Sequence, residues 1–139
     1  MIPIIDVSKW QGDIDFTRAA RNGVRGVVVR AGNGTAADAR CGEYIAGARK
    51  AGLVVGVYWF CNPKRSSGAD QGQRLADAHN LHRCELPPML DVEDYTGEPG
   101  TLPVLSPAQF TTWLTAMRVK IESAVGRAGR AHGHDGAAG

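Results

Sequence analysis

Four short apolar runs, each followed by a segment of helical character, restrict this chain more than any other feature of its sequence. The first run is Ile2 to Val7 and the second is Gly26-Val27-Val28-Val29-Arg30. The third is Leu53-Val54-Val55-Gly56-Val57-Tyr58-Trp59-Phe60, and the fourth is Pro88-Met89-Leu90-Asp91-Val92-Glu93. All are rich in β-branched or aromatic residues and nearly continuous in apolar character. That pattern suits strands of a parallel sheet buried on both faces. Between and after them, Phe16 to Arg21 reads as a short helix stopped at Asn22-Gly23. Ala39 to Lys50 sets Cys41, Tyr44, Ile45 and Ala48 on one face. Ala69 to His82 carries a thin stripe of Leu75, Ala78 and either Leu81 or His82. The last helix has the strongest period, through Phe110, Trp113, Leu114, Met117, Ile121 and Val125. Ser106-Pro107-Ala108-Gln109 opens it with a capping box and proline at the first helical position, and Gly126 closes it. A βα unit repeated four times predicts parallel strands near 2–7, 26–31, 54–60 and 88–93, in sequential order, with helices on one side.

Composition narrows the function classes. The 139 residues suggest one domain, and 43% hydrophobic with 22% charged residues fits a folded globular chain. A net charge of +2 from 16 basic and 14 acidic residues, with no basic block, argues against a nucleic-acid partner. Cys41, Cys61 and Cys84 form no CxxC pair, have no metal-ligand spacing and cannot close a disulfide set, being odd in number. They read as small buried apolar residues. No run is long enough to span a membrane. Met1 to Asp6 has neither the charged n-region nor the long apolar h-region of a signal peptide. If the chain acts outside a cell or on its wall, delivery comes from another route. The segment 126–139, GRAGRAHGHDGAAG from Gly126, is of low complexity and is expected to be disordered.

In parallel α/β folds, functional groups collect at the carboxyl ends of strands. Asp6 ends the first run; Asp91 and Glu93 end the fourth, followed by Asp94. Side chains alternate along a strand, so Asp91 and Glu93 share one face, with Cα atoms about 6.6 Å apart. Ile4 and Asp6 share a face in the same way. Carboxylates crowded at one strand end repel each other, and partial burial adds to the effect. One of them then keeps its proton near neutrality while a neighbour stays ionised. Glycoside hydrolysis needs that division of labour. The plainer reading of Asp94, as a helix cap or solvated acid, has the greater weight. A divalent metal site is the second functional reading of the acids, but no phosphate-binding loop accompanies it. His79, His82, His132 and His134 form no HExxH pair, so no metal is assigned. Trp10, Tyr58, Trp59 and Phe60 lie at or just beyond strand ends. There, flat rings can stack on sugar faces and Tyr58 can donate a hydrogen bond.

Together these residues resemble the glycoside hydrolase family 25 muramidases, also called Chalaropsis-type lysozymes. Asp6-Val7-Ser8-Lys9-Trp10-Gln11-Gly12 is similar to that family's opening motif, and Val27 to Gly34 to its second strand. Many members carry Lys-x-Thr-Glu-Gly there, whereas this chain reads Arg30-Ala31-Gly32-Asn33-Gly34. Gly56 to Phe60 resembles the third strand, whose tyrosine lines the substrate groove. Leu86 to Glu93 resembles the Asp-x-Glu catalytic strand.

The resemblance implies an α/β fold of TIM-like (β/α)-barrel type. It implies cleavage of the β-1,4 bond between N-acetylmuramic acid and N-acetylglucosamine in peptidoglycan, without a cofactor. Glu93 matches the general acid. Asp91 matches the residue that stabilises the cationic centre or orients the 2-acetamido group, and Asp6 matches a supporting acid on the opposite wall. Tyr58, Trp10, Trp59, Arg30 and Asp94 are the substrate-binding candidates. Covalent and substrate-assisted routes both stay open. Strands five to eight of such a barrel, which needs at least about 200 residues, have no counterpart. The expectation is therefore a partial barrel over residues 1–125, truncated after the fourth βα unit. Its open sheet edges would favour self-association. An inactive remnant or a non-catalytic glycan-binding fragment is the alternative to an active enzyme.

Overall fold

The computed structural model describes residues 1–93 and 105–126. Asp94 and the expected disordered tail beyond Gly126 lie outside the described residues. The elements run β1 (Ile4–Val7), α1 (Phe16–Arg21), β2 (Gly26–Asn33), β3 (Ala36–Ala37), α2 (Cys41–Lys50), β4 (Val54–Phe60), α3 (Gly68–His82), β5 (Met89–Asp91) and α4 (Pro107–Ala124). A single 3₁₀ turn, Lys9–Gln11, follows β1 and is capped by the Ser8 hydroxyl, which accepts from the Trp10 N–H. The four anticipated strands pair in parallel in the order β1-β2-β4-β5. This is a half-barrel with helices, as the alternation of apolar runs and helical stripes predicts.

Period-two alternation assigns the two faces of the sheet. Val7, Val27, Val29, Val55, Val57 and Trp59 point one way, into a core closed by Phe16, Tyr44, Ile45, Leu75 and Met117 from the helices. The opposite face carries Ile4, Asp6, Val28, Arg30, Tyr58, Met89 and Asp91, by the strand registers. Of its apolar members, Ile4, Val54 and Met89 are 44%, 40% and 40% exposed, while Val28 is buried. The strands are therefore buried on the helix side and open on the other, rather than covered on both faces as their composition suggests.

Two features depart from the sequence reading. The Gly32-Asn33-Gly34 segment extends β2 and turns back into the short antiparallel β3, pairing Asn33 with Ala36. Gly34 makes the turn at φ +59°, where a side chain would be strained. The register between β2 and β4 also slips between Arg30 and Gly32, leaving Ala31 as the extra residue of a bulge.

α4 forms as its capping box predicts: Ser106 Oγ accepts from the Gln109 N–H, and Gln109 Oε1 accepts from the Ser106 N–H. It packs on α3, where Gly68 and Gly72 let the two backbones approach. A Cβ on Gly68 would lie 2.0 Å from the Trp113 carbonyl oxygen, and one on Gly72 2.7 Å from that of Met117. The Asn80 amide donates to the Ala124 carbonyl and accepts from the Gly126 N–H, fastening the far end. Leu81 is exposed, so His82 takes the inward position of the α3 stripe. All three cysteines are free, and burial pushes Cys41 and Cys61 up to about 12. Among the described residues, no helix is long and apolar enough to cross a membrane.

Candidate active site

The carboxyl edge of the sheet opens into a pocket of about 460 Å³ with Asp6, Tyr58 and Asp91 in its wall and Ile4, Val28 and Met89 among its apolar lining. Each acid arrives there by strand parity. Asp6 stands opposite Val28 in the β1–β2 register, and Tyr58 stands between Arg30 on one side and Met89 on the other. Asp91 lies opposite Phe60, and its carbonyl accepts the Cys61 N–H, which fixes the end of β5 against β4.

The electrostatics follow from this crowding. Partial burial first, then the hydrogen bond and charge of Glu93, then the charge of Asp6, push the Asp91 carboxyl up to about 6; Arg30 opposes them. The Asp91 carboxyl thus holds its proton well above the usual carboxylate range. Glu93 itself is exposed, two residues beyond Asp91. Burial pushes the Tyr58 phenol up to about 12, with Asp6 and Asp91 adding to it and Arg30 acting against it. Tyr58 therefore keeps its phenolic proton, and can donate a hydrogen bond, throughout the neutral range. Among the described residues, no group of three His, Cys, Asp or Glu side chains is placed to hold a metal ion.

The remaining candidates separate. Trp10 is 75% exposed on the 3₁₀ turn after β1, with the Lys9 ammonium 5.1 Å from its ring centroid. Trp59 is not brought to the pocket. It follows Tyr58 directly, so parity sends it to the helix side, where it is buried and its indole N–H donates to the Gly34 carbonyl at 3.1 Å. Its reading as a sugar-binding ring is corrected to a core residue. Asp94 lies outside the described residues.

Arg30 is committed elsewhere. Its Nε and Nη2 both donate to the Asp38 carboxylate at 3.0 Å, in a pair whose side chains are only 11% and 5% exposed. Asp38 also accepts the Lys9 N–H at 3.4 Å. Sequence reasoning missed Asp38. A signal existed, because an arginine on the inward parity of an apolar strand needs a counter-ion. The first acid after Arg30 in the chain is Asp38, across the unrecognised hairpin.

Comparison with known proteins gives one consistent result. The sequence model of the family described as Glycosyl hydrolases family 25 matches residues 5–129. The chain is 29% identical over 123 residues to Lysozyme M1 of Streptomyces globisporus, covering 86% of this chain and 42% of that protein. It is 28% identical over 125 residues to the N,O-diacetylmuramidase of Arthroderma benhamiae, covering 88% and 53%. The chain thus spans about half the length of these curated relatives. Among solved structures, a muramidase from Acremonium alcalophilum superposes with a TM-score of 0.80 at 29% identity, over 91% of this chain and 62% of that one. A bacterial lysozyme from Streptomyces coelicolor gives 0.79 at 29% identity, over 91% and 59%.

Proposed function

The chain belongs to glycosyl hydrolases family 25, and from that membership we propose that it serves peptidoglycan hydrolysis as an N-acetylmuramidase. The bond cleaved is the β-1,4 link between N-acetylmuramic acid and N-acetylglucosamine. The observation that carries this reading is the meeting of Asp6, Tyr58 and Asp91 in one pocket, with the Glu93 carboxyl near enough to help push the Asp91 carboxyl up. Glu93, which matches the family's general acid, protonates the departing sugar oxygen. Asp91 is left ionised and stabilises the cationic centre or orients the 2-acetamido group. Asp6 adds negative charge from the neighbouring wall. Tyr58 donates a hydrogen bond to the sugar, and Trp10 offers an exposed ring at the rim. Asp94 keeps its place as a substrate-binding candidate on the family resemblance alone. The site of action is the cell wall.

A second reading, a non-catalytic glycan-binding fragment, is favoured by one observation: the face that carries the acids is open, with Ile4, Val54 and Met89 substantially exposed. The same openness supports self-association through the sheet edges β1 and β5.

Product analysis separates the two readings. Purified walls are digested exhaustively, the new reducing ends are reduced with borohydride, and the fragments are identified by mass spectrometry. Reduced N-acetylmuramic acid ends that vanish with Glu93→Gln support the muramidase. Reduced N-acetylglucosamine ends would overturn the bond assignment. No new ends, with retention on insoluble peptidoglycan, would support the glycan-binding reading.

A further inference from the structure

Arg30 occupies an inward-facing position at the carboxyl end of β2, opposite Tyr58 and one inward step beyond Val28, which stands opposite Asp6. It shares its face with three acids, yet among the described residues its one ion pair is with Asp38. A flexible guanidinium beside several carboxylates closes on the one best placed to take its parallel N–H groups. Asp38 is that carboxylate because its backbone is fixed on both sides. Its N–H donates to the Ala31 carbonyl at 2.8 Å, and its own carbonyl accepts the Cys41 N–H at 3.2 Å. Its carboxylate takes the Lys9 N–H as well, which ties the turn after Asp6 into the same junction.

We propose that Asp38 is a positioning residue that withholds Arg30 from the acidic cluster, keeping the guanidinium from closing an ion pair with Asp6 or Asp91. A direct Arg30–Asp91 pair would hold Asp91 ionised and pull its carboxyl back toward the usual carboxylate range. Held by Asp38, the guanidinium acts on Asp91 and Tyr58 through charge alone. Removing Asp38 leaves a nearly buried cation without a partner, a costly state that Arg30 relieves by turning to the acids on its own face. The loss of one negative charge acts on Asp91 in the same direction. That this arrangement serves sugar cleavage rests on the muramidase reading; the spatial relation between Asp38, Arg30 and Asp91 does not.

The test is a titration of the Asp91 carboxyl in the 139-residue chain by carbon-detected NMR, with wild type beside Asp38→Ala, Asp38→Asn, Asp38→Glu and the double variant Arg30→Gln/Asp38→Ala. Asp38→Ala should move the Asp91 midpoint down by about 1–3 pH units. Adding Arg30→Gln should return it to the wild-type value or above, and Asp38→Glu should stay near wild type. An unchanged or raised midpoint in Asp38→Ala would overturn the proposal, as would a fall that Arg30→Gln does not reverse. If Asp38→Ala does not fold, Asp38→Asn, which keeps the side chain's shape, decides the case by the same direction of shift. Product analysis on the same proteins keeps the two questions apart. A chain that yields no new reducing ends moves to the glycan-binding reading with the titration result intact. A chain that cleaves walls but fails the titration test loses this inference alone.

Discussion

The Trp59 indole ring lies against the space where Gly32 lacks a side chain, so close that a Cβ there would sit 2.3 Å from the ring. The contact exists because the β2 bulge at Ala31 brings Gly32 opposite Trp59, and because the indole is held by its hydrogen bond to Gly34. The ring cannot retreat into a packed core, and the Ala36 carbonyl blocks the other side at 2.6 Å. Gly32→Ala should therefore destabilise the fold by about 1–3 kcal/mol or more, read as a lowered denaturant midpoint and altered Trp59 fluorescence. An unchanged midpoint would show that the bulge yields freely.

Three helical glycines make a graded series. A Cβ on Gly42 would meet its nearest atom, in the His82 ring, at 3.7 Å, an ordinary contact. Gly42→Ala should then stabilise by roughly 0.5–1 kcal/mol through helix propensity. In Gly68→Ala and Gly72→Ala the same gain is offset by backbone collisions with α4, and both should lose stability by about 1–3 kcal/mol. Thermal melts of the three variants check the ordering. Gly68→Ala melting above wild type would remove the close α3–α4 contact.

Strand parity was enough to bring Asp6, Tyr58 and Asp91 to one pocket, because a period of two leaves no freedom once a strand is recognised. The same rule already excludes Trp59 from that face, since it adjoins Tyr58. Aromatic character at a strand end was the weaker argument there, and it pointed the wrong way. The β3 hairpin and Asp38 were hidden for a different reason. They depend on turn chemistry at Gly34 and on a bulge, neither of which leaves a hydrophobic period to read. The apolar stripe of α4 was plain in the sequence. Its partner was not, because a stripe says that a face is buried and not against what. The small residues Gly68 and Gly72, four apart on α3, were the available clue.

Stability should respond to pH at Asp91 in the sense opposite to an ordinary ion-paired carboxylate. Its folded-state value, about 6, is above the ordinary 3.8. The folded chain therefore binds this proton more tightly than the unfolded chain does. The contribution is fully present below pH 3.8 and is lost as pH rises through about 6. Asp91→Asn removes the charge, so its melting temperature should exceed wild type's at about pH 7.5. The difference should be on the order of 1 kcal/mol after allowing for partial exposure, and the gap should close below about pH 4. A wild-type chain that is the more stable at about pH 7.5 would contradict this assignment of the proton.

Cleavage by the 139-residue chain on its own should be slow. The acids stand on one wall, and the apolar residues of that wall, Ile4, Val54 and Met89, face open space. Holding a sugar in a reactive geometry can supply roughly 7–11 kcal/mol of barrier reduction. Forfeiting even about 3 kcal/mol of it costs about 100-fold in rate. Clearing of wall suspensions should accordingly run at least about 100-fold below a full-length family member assayed alongside. Whatever remains should disappear in Glu93→Gln. Light scattering on the same samples reports whether the open face draws copies together. Clearing at a full-length rate by a chain that stays monomeric would mean that one wall of acids positions the sugar unaided. Clearing at that rate only in a dimeric fraction would mean that a second copy supplies the other wall.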